Sequence, residues 1–147
     1  MPADIRTILV PTDFSEHAQL ALEHALGLAK TFGARIVILH AYSVPIYVGA
    51  QESVPLPQTF FEDLQKSADA RTQKLADSVA AAGVSVTQRV VHDVPVQAIT
   101  AAAEQEGADL IVMGTRGLTG MKHVLLGSVA ERTVRLASCP VMTVRAH

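Results

Sequence analysis

The sequence predicts an α/β domain: an open, five-stranded, mostly parallel sheet with helices on both faces. Two observations carry that expectation. Short apolar runs of strand length alternate with amphipathic helical segments along the whole chain, and such alternation implies right-handed crossovers between parallel strands. No repeat, low-complexity tract or linker divides the 147 residues, so positions 1–147 read as one domain.

The elements follow in order. RTILVP (6–11) is the first strand. In DFSEHAQLALEHALGLAKTFG, Ala18, Leu22, Ala25, Leu26, Ala29 and Phe32 share one helical face. Asp13 or Ser15 can cap that helix and Gly33 can end it. Asp13 with Glu16 three residues on also suits a helix start of the capping-box kind. RIVILHAY (35–42) is the second strand, and the proline-bearing stretch 43–58 is a long loop of the kind that serves as a lid or binding loop. Residues 60–82 form the second helix, closed by Gly83. VSVTQRVVH, VPVQAITAAAEQEG, ADLIVMG, SVAERTVRLAS and PVMTVR then supply strand, helix, strand, helix and a fifth strand.

Composition narrows the function classes. Apolar residues make up 49% and charged residues 18%, as in an ordinary globular domain. A net charge of −2 argues against a general nucleic-acid binder. No apolar run reaches the ~20 residues of a membrane-spanning helix, and MPADIRTILVPTD lacks the apolar stretch of a signal peptide. A single cysteine allows no internal disulfide. A cytoplasmic address is therefore expected.

Ligands of open α/β sheets bind beyond the carboxyl ends of the strands, where the strand order reverses. Orders 3-2-1-4-5 and 2-1-3-4-5 compete. Glycines and hydroxyls cluster after the first and fourth strands, in PTDFS and GTRGLTGMKHVLLGS, which favours 3-2-1-4-5. Bare backbone at Gly114, Gly117, Gly120 and Gly127, next to a helix start at Ser128, suits an anion. Arg116 and Lys122 could add positive charge. From spacing alone, flexible turn and phosphate cradle remain equal alternatives. Neither G-x-G-x-x-G after the first strand nor G-x-x-x-x-G-K-[ST] occurs, which excludes the usual dinucleotide fingerprint and the P-loop.

Gly114-x2-Gly117-x9-Gly127-Ser128 follows the pattern G-2x-G-9x-G-[S/T]. Together with ILVPTDFS, ADLIVMGTRG and GSVAERTVRLASCPVMTV, it makes nearly the whole chain resemble the nucleotide-binding branch of the universal stress protein family. The resemblance implies the Rossmann-like sheet order 3-2-1-4-5 and ATP, or AMP or ADP, between the first and fourth strands. It implies that Pro11, Thr12 and Asp13 border the adenosine, Ala41 the adenine, and Met113 and Gly114 the ribose. Gly117, Gly127, Ser128 and Val129 would hold the phosphates, with Mg2+ or Mn2+ bound through phosphate oxygens. It also implies a homodimer through the fifth strand, residues 140–145, from Pro140 to Arg145. Asp93-Val94-Pro95 departs from the G-x-P common there, which bears on that loop alone.

Other residues admit plainer readings. His40 and His92 end neighbouring strands and could meet at a metal with Asp93, but two strand-end histidines are the simpler account. His17 and His24 are too far apart on their helix for an i, i+4 ligand pair. Cys139 has no base nearby and reads as a structural thiol. Ser128 with His123 lacks an orienting carboxylate. The expected function is an ATP-binding stress-response module. A slow ATPase and an interaction module whose crevice is empty or holds another ligand are the alternatives; no general base or Walker lysine supports the first of these.

Overall fold

The computed structural model describes residues 4–43, 56–116 and 126–146. Five strands, β1 (Thr7–Pro11), β2 (Arg35–Tyr42), β3 (Val86–His92), β4 (Leu110–Gly114) and β5 (Val141–Val144), alternate with four helices. The helices are α1 (Glu16–Phe32), α2 (Gln58–Ala81), α3 (Pro95–Glu106) and α4 (Ser128–Leu136). The strands form one sheet in the order β3-β2-β1-β4-β5, and every neighbouring pair is parallel.

The chain starts in the middle of the sheet, builds outward through β2 to β3, then returns to the other side of β1. Right-handed crossovers running in opposite directions put their helices on opposite faces. Successive strand residues also point to opposite faces. Ile8, Val10, Ile36, Ile38 and Val112 accordingly pack with Ala21, Leu22 and Ala25 of α1 and Ala76 and Val79 of α2. Leu9, Val37, Leu39, Ile111 and Met113 pack with Ala98, Ile99 and Ala102 of α3 and Ala130 of α4. Coverage on both sides explains why the central strands are continuous apolar runs. Each fully buried Ile or Leu contributes about 1.5–3 kcal/mol relative to exposure.

Helix ends follow local chemistry. Ser15 is the N-cap of α1, its Oγ accepting the Ala18 N–H at 3.2 Å. Asp13 takes no cap position; its Oδ1 accepts the Ser15 N–H at 3.0 Å, so Asp13 and Glu16 do not form a capping box. Gly33 ends α1 at φ 68, a left-handed conformation that suits glycine. The apolar face of α1 holds Ala18, Leu22, Ala25 and Ala29 as expected, with Ala21 added. Phe32 has the right angular position but is the helix's last residue and stays 49% exposed.

Other boundaries shift slightly. α2 starts at Gln58, two residues before the expected position, and α4 stops at Leu136, two residues early. β5 spans Val141–Val144, so Pro140 and Arg145 lie just outside it. Pro140 joins only through its carbonyl, which accepts the Ile111 N–H at 2.9 Å; proline has no N–H to give. Of the expected loop 43–58, residues 44–55 lie outside the described residues.

Candidate functional site

The strand order reverses at β1, which lies between β2 and β4. On its β2 side the pairing runs to the last residue, Pro11↔Leu39. On its β4 side the register pairs are Ile8↔Leu110 and Leu9↔Ile111. The β1–β4 register pairs therefore stop short of Pro11 on one strand and of Met113 and Gly114 on the other, at the carboxyl ends of both. This is where open α/β sheets hold ligands.

The turn after β1 is densely bonded. The Thr12 N–H donates to the Leu39 carbonyl at 2.8 Å, and the Phe14 N–H to Thr12 Oγ1 at 3.0 Å. The Thr12 carbonyl meets His40 Nδ1 at 2.8 Å. Phe14 has φ 64, a left-handed conformation in a bulky residue, which costs about 1–2 kcal/mol. Its ring lies 4.5 Å from the His40 ring, and the Arg71 guanidinium carbon of α2 stands 4.0 Å from its centroid. These contacts offset the strain, an aromatic–cation contact contributing about 0.5–1 kcal/mol at an exposed site. Phe14 and His40 carry no motif that announces this arrangement, which depends on β2 lying beside the β1 turn.

The other wall begins at the end of β4. A Cβ on Gly114 would stand 2.7 Å from the Cβ of His17 and 2.9 Å from its carbonyl carbon, so α1 itself requires the missing side chain. Thr115, which the glycine pattern passes over, is 5% exposed and joins several elements. Its N–H donates to Val144 at 2.9 Å, and its carbonyl accepts the Gly127 N–H at 2.6 Å. Its Oγ1 lies 3.4 Å from His17 Nδ1, which accepts the Ala146 N–H at 3.2 Å.

Gly127 is the N-cap of α4, and among the described residues no side chain caps that helix. Because the Gly127 N–H is committed to Thr115, the N–H groups of α4 that have no partner within the helix belong to the first-turn residues after it. Among these Ser128 is exposed and Val129 half-buried. Met113 belongs to the core cluster against which Ala41 and Val129 pack, so three of the expected residues share one apolar floor. Arg116 follows Thr115 and is half-buried. Gly117, Gly120 and Lys122 lie outside the described residues, as does His123, the expected neighbour of Ser128.

The histidines at the strand ends form a ring stack. Tyr42 stacks on His92 at 5.1 Å and on His40 at 6.4 Å. Its hydroxyl donates to Gln65 of α2. Among the described residues no group of three His, Cys, Asp or Glu side chains could hold a metal ion. His17 faces the end of β4 while His24 is exposed. Burial, and then the negative charge of Asp109, raise the Cys139 thiol above its ordinary range, which opposes a thiolate nucleophile. Among the described residues no helix is long and apolar enough to cross a membrane.

The sequence model of the universal stress protein family matches residues 4–145. The chain belongs to that family. A universal stress protein of Thermus aquaticus is 40% identical over 143 residues, covering 95% of this chain and 98% of the relative. The solved structure of MJ0577, a universal stress protein of Methanocaldococcus jannaschii, superposes with a TM-score of 0.85 at 29% identity, covering 97% of both chains. A universal stress protein solved in complex with cAMP is 27% identical, with a TM-score of 0.72 over 96% of this chain and 97% of that one. The five-stranded order seen here is the universal stress protein fold, as the family resemblance implied.

Proposed function

We propose that this universal stress protein binds ATP, or AMP or ADP, in the crevice between β1 and β4 and acts in the cytoplasm as a nucleotide-responsive regulatory module. The observation that carries the reading is the start of α4. Among the described residues it has no side-chain cap, and the Gly127–Thr115 bond ties it to the carboxyl end of β4. A helix N-terminus, whose first N–H groups have no partner within the helix, favours a phosphate through those groups and the helix dipole. The relative crystallised with cAMP supports an adenine nucleotide as the ligand class.

In this reading Pro11, Thr12 and Asp13 border the adenosine, Ala41 and Met113 supply apolar surface, and Gly114 adjoins the ribose. Ser128 and Val129 bind phosphate through first-turn N–H groups and the Ser128 hydroxyl, with Gly117, Arg116 and Lys122 completing the site. Gly127 contributes by shape and by holding the helix start. A Mg2+ or Mn2+ ion would be held through phosphate oxygens. A homodimer through β5 belongs to the same proposal, since Met142 is an exposed apolar side chain on that edge strand and Val134 and Leu136 are exposed on α4, the helix before it.

Mass spectrometry of gently purified, denatured protein should release an adenine nucleotide. Calorimetric titration of nucleotide-free protein with ATP, AMP and cAMP should then rank the ligands. Absence of binding to all three would overturn the reading.

A further inference from the structure

We propose that His40 is a positioning residue that fixes the shape of the turn after β1, and through it the adenosine side of the crevice; its effect on affinity rests on the nucleotide reading above. Three observations converge on the turn. His40 Nδ1 lies 2.8 Å from the Thr12 carbonyl oxygen. The residue two positions on, Phe14, is held at φ 64 with its ring 4.5 Å from the His40 ring. Thr12 Oγ1 and Asp13 Oδ1 are already engaged by the N–H groups of Phe14 and Ser15.

A carbonyl only accepts, so the proton of this bond sits on Nδ1 of His40. The donor comes from β2, the strand whose next residue is Ala41. His40 therefore links the turn bearing Thr12 and Asp13 to the strand bearing Ala41. A turn containing a left-handed phenylalanine persists only when its surroundings over-determine it. Removing the His40 donor leaves the Thr12 carbonyl without that partner and Phe14 without the neighbouring ring. The turn should then sample other conformations, and a ligand would have to order it on binding.

The test has a ligand-free arm and a ligand arm. In nucleotide-free wild-type protein, 15N NMR of the His40 imidazole should show the Nδ1–H tautomer. Amide exchange at Phe14 and Ser15 should accelerate about tenfold in His40→Ala, the size expected for loss of one hydrogen bond. His40→Asn, whose amide N–H reaches from about the position of Nδ1, should restore most of the protection. In the ligand arm, His40→Ala should raise the Kd for ATP about tenfold, mainly through faster dissociation, with recovery in His40→Asn.

An Nε2–H tautomer, or unchanged exchange in His40→Ala, overturns the proposal, and the tautomer measurement needs no variant to fold. Unchanged Kd in His40→Ala against a binding wild type also overturns it. A wild type that binds no nucleotide overturns the nucleotide reading alone, because the tautomer and exchange readouts still decide the role of His40 in the turn.

Discussion

Gly114 lies directly against His17: a Cβ at position 114 would stand 2.7 Å from the His17 Cβ and 2.9 Å from its carbonyl carbon. Real Cβ atoms do not approach so closely, and the second contact is backbone, which cannot swing aside. Gly114→Ala should therefore destabilise the fold by about 1–3 kcal/mol, the usual cost of overpacking, read as a lower urea midpoint. At Gly127 the nearest atom to a Cβ is the Thr115 carbonyl oxygen at 3.2 Å, and φ is −68. Gly127→Ala should cost less, within about 1 kcal/mol. Equal costs at the two positions would reject this ranking.

Phe14 divides backbone strain from ring contacts. Phe14→Gly and Phe14→Ala both remove the ring from His40 and Arg71. Only the alanine keeps a Cβ at a positive φ. The glycine variant should be more stable than the alanine variant by about 1 kcal/mol, despite the greater freedom of its unfolded chain. Thermal or denaturant unfolding of the pair checks the sign, and a more stable alanine variant would contradict it.

Met142 tests the proposed dimer. It is 38% exposed on β5, an edge strand of the sheet, and exposed Val134 and Leu136 lie on α4, which precedes β5. A charge on an apolar edge opposes strand-to-strand association. Met142→Arg should sediment as a monomer at concentrations where the wild type is dimeric. A monomeric wild type, or an unaffected dimer in the variant, would count against a β5 interface.

Cys139 gives a pH prediction with a definite sign. Burial and then Asp109 raise its pKa in the folded protein. The native state thus holds the thiol proton more tightly than the unfolded chain. The associated stability is complete below the unfolded thiol pKa of about 8.5 and is lost as pH rises through the folded value. Iodoacetamide should modify native protein near neutral pH more slowly than urea-unfolded protein, as counted by mass spectrometry. The thiol-linked fall in stability at alkaline pH should vanish in Cys139→Ser.

The fold was legible because its determinants are local and periodic. Apolar runs such as ILV at 8–10 and LIV at 110–112 mark strands buried on both faces, while small apolar residues at helical spacing mark α1 and α3. The favoured order, 3-2-1-4-5, is the observed one. The errors lie at ends, where one residue's fate depends on what its element reaches. Phe32 keeps the right angle on α1 yet remains exposed at the last turn, and Ser15 rather than Asp13 caps the helix.

The candidate site was legible by pattern and only partly by role. The glycine spacing drew attention to Gly114 and Gly127, yet the space missing at Gly114 is taken by α1, and the Gly127 N–H is spent on Thr115. Thr115, His17 and His40 lie 98 and 28 residues from their partners across the Thr115–His17 and His40–Thr12 contacts. No sequence spacing encodes such pairs, because they form only when parallel strands bring their carboxyl ends together.

By itself the sequence determined an open parallel α/β sheet, since periodic burial and turn chemistry are properties of short segments, while the universal stress protein type came from the resemblance carried by Gly114, Gly117, Gly127 and Ser128. The tertiary structure decided which backbone groups at the candidate site are already bonded within the protein. A donor's availability depends on whether a distant strand or helix has already claimed it: β2 holds the Thr12 carbonyl through His40, and Thr115 claims the N–H of Gly127 while, among the described residues, the first turn of α4 after it has no side-chain cap.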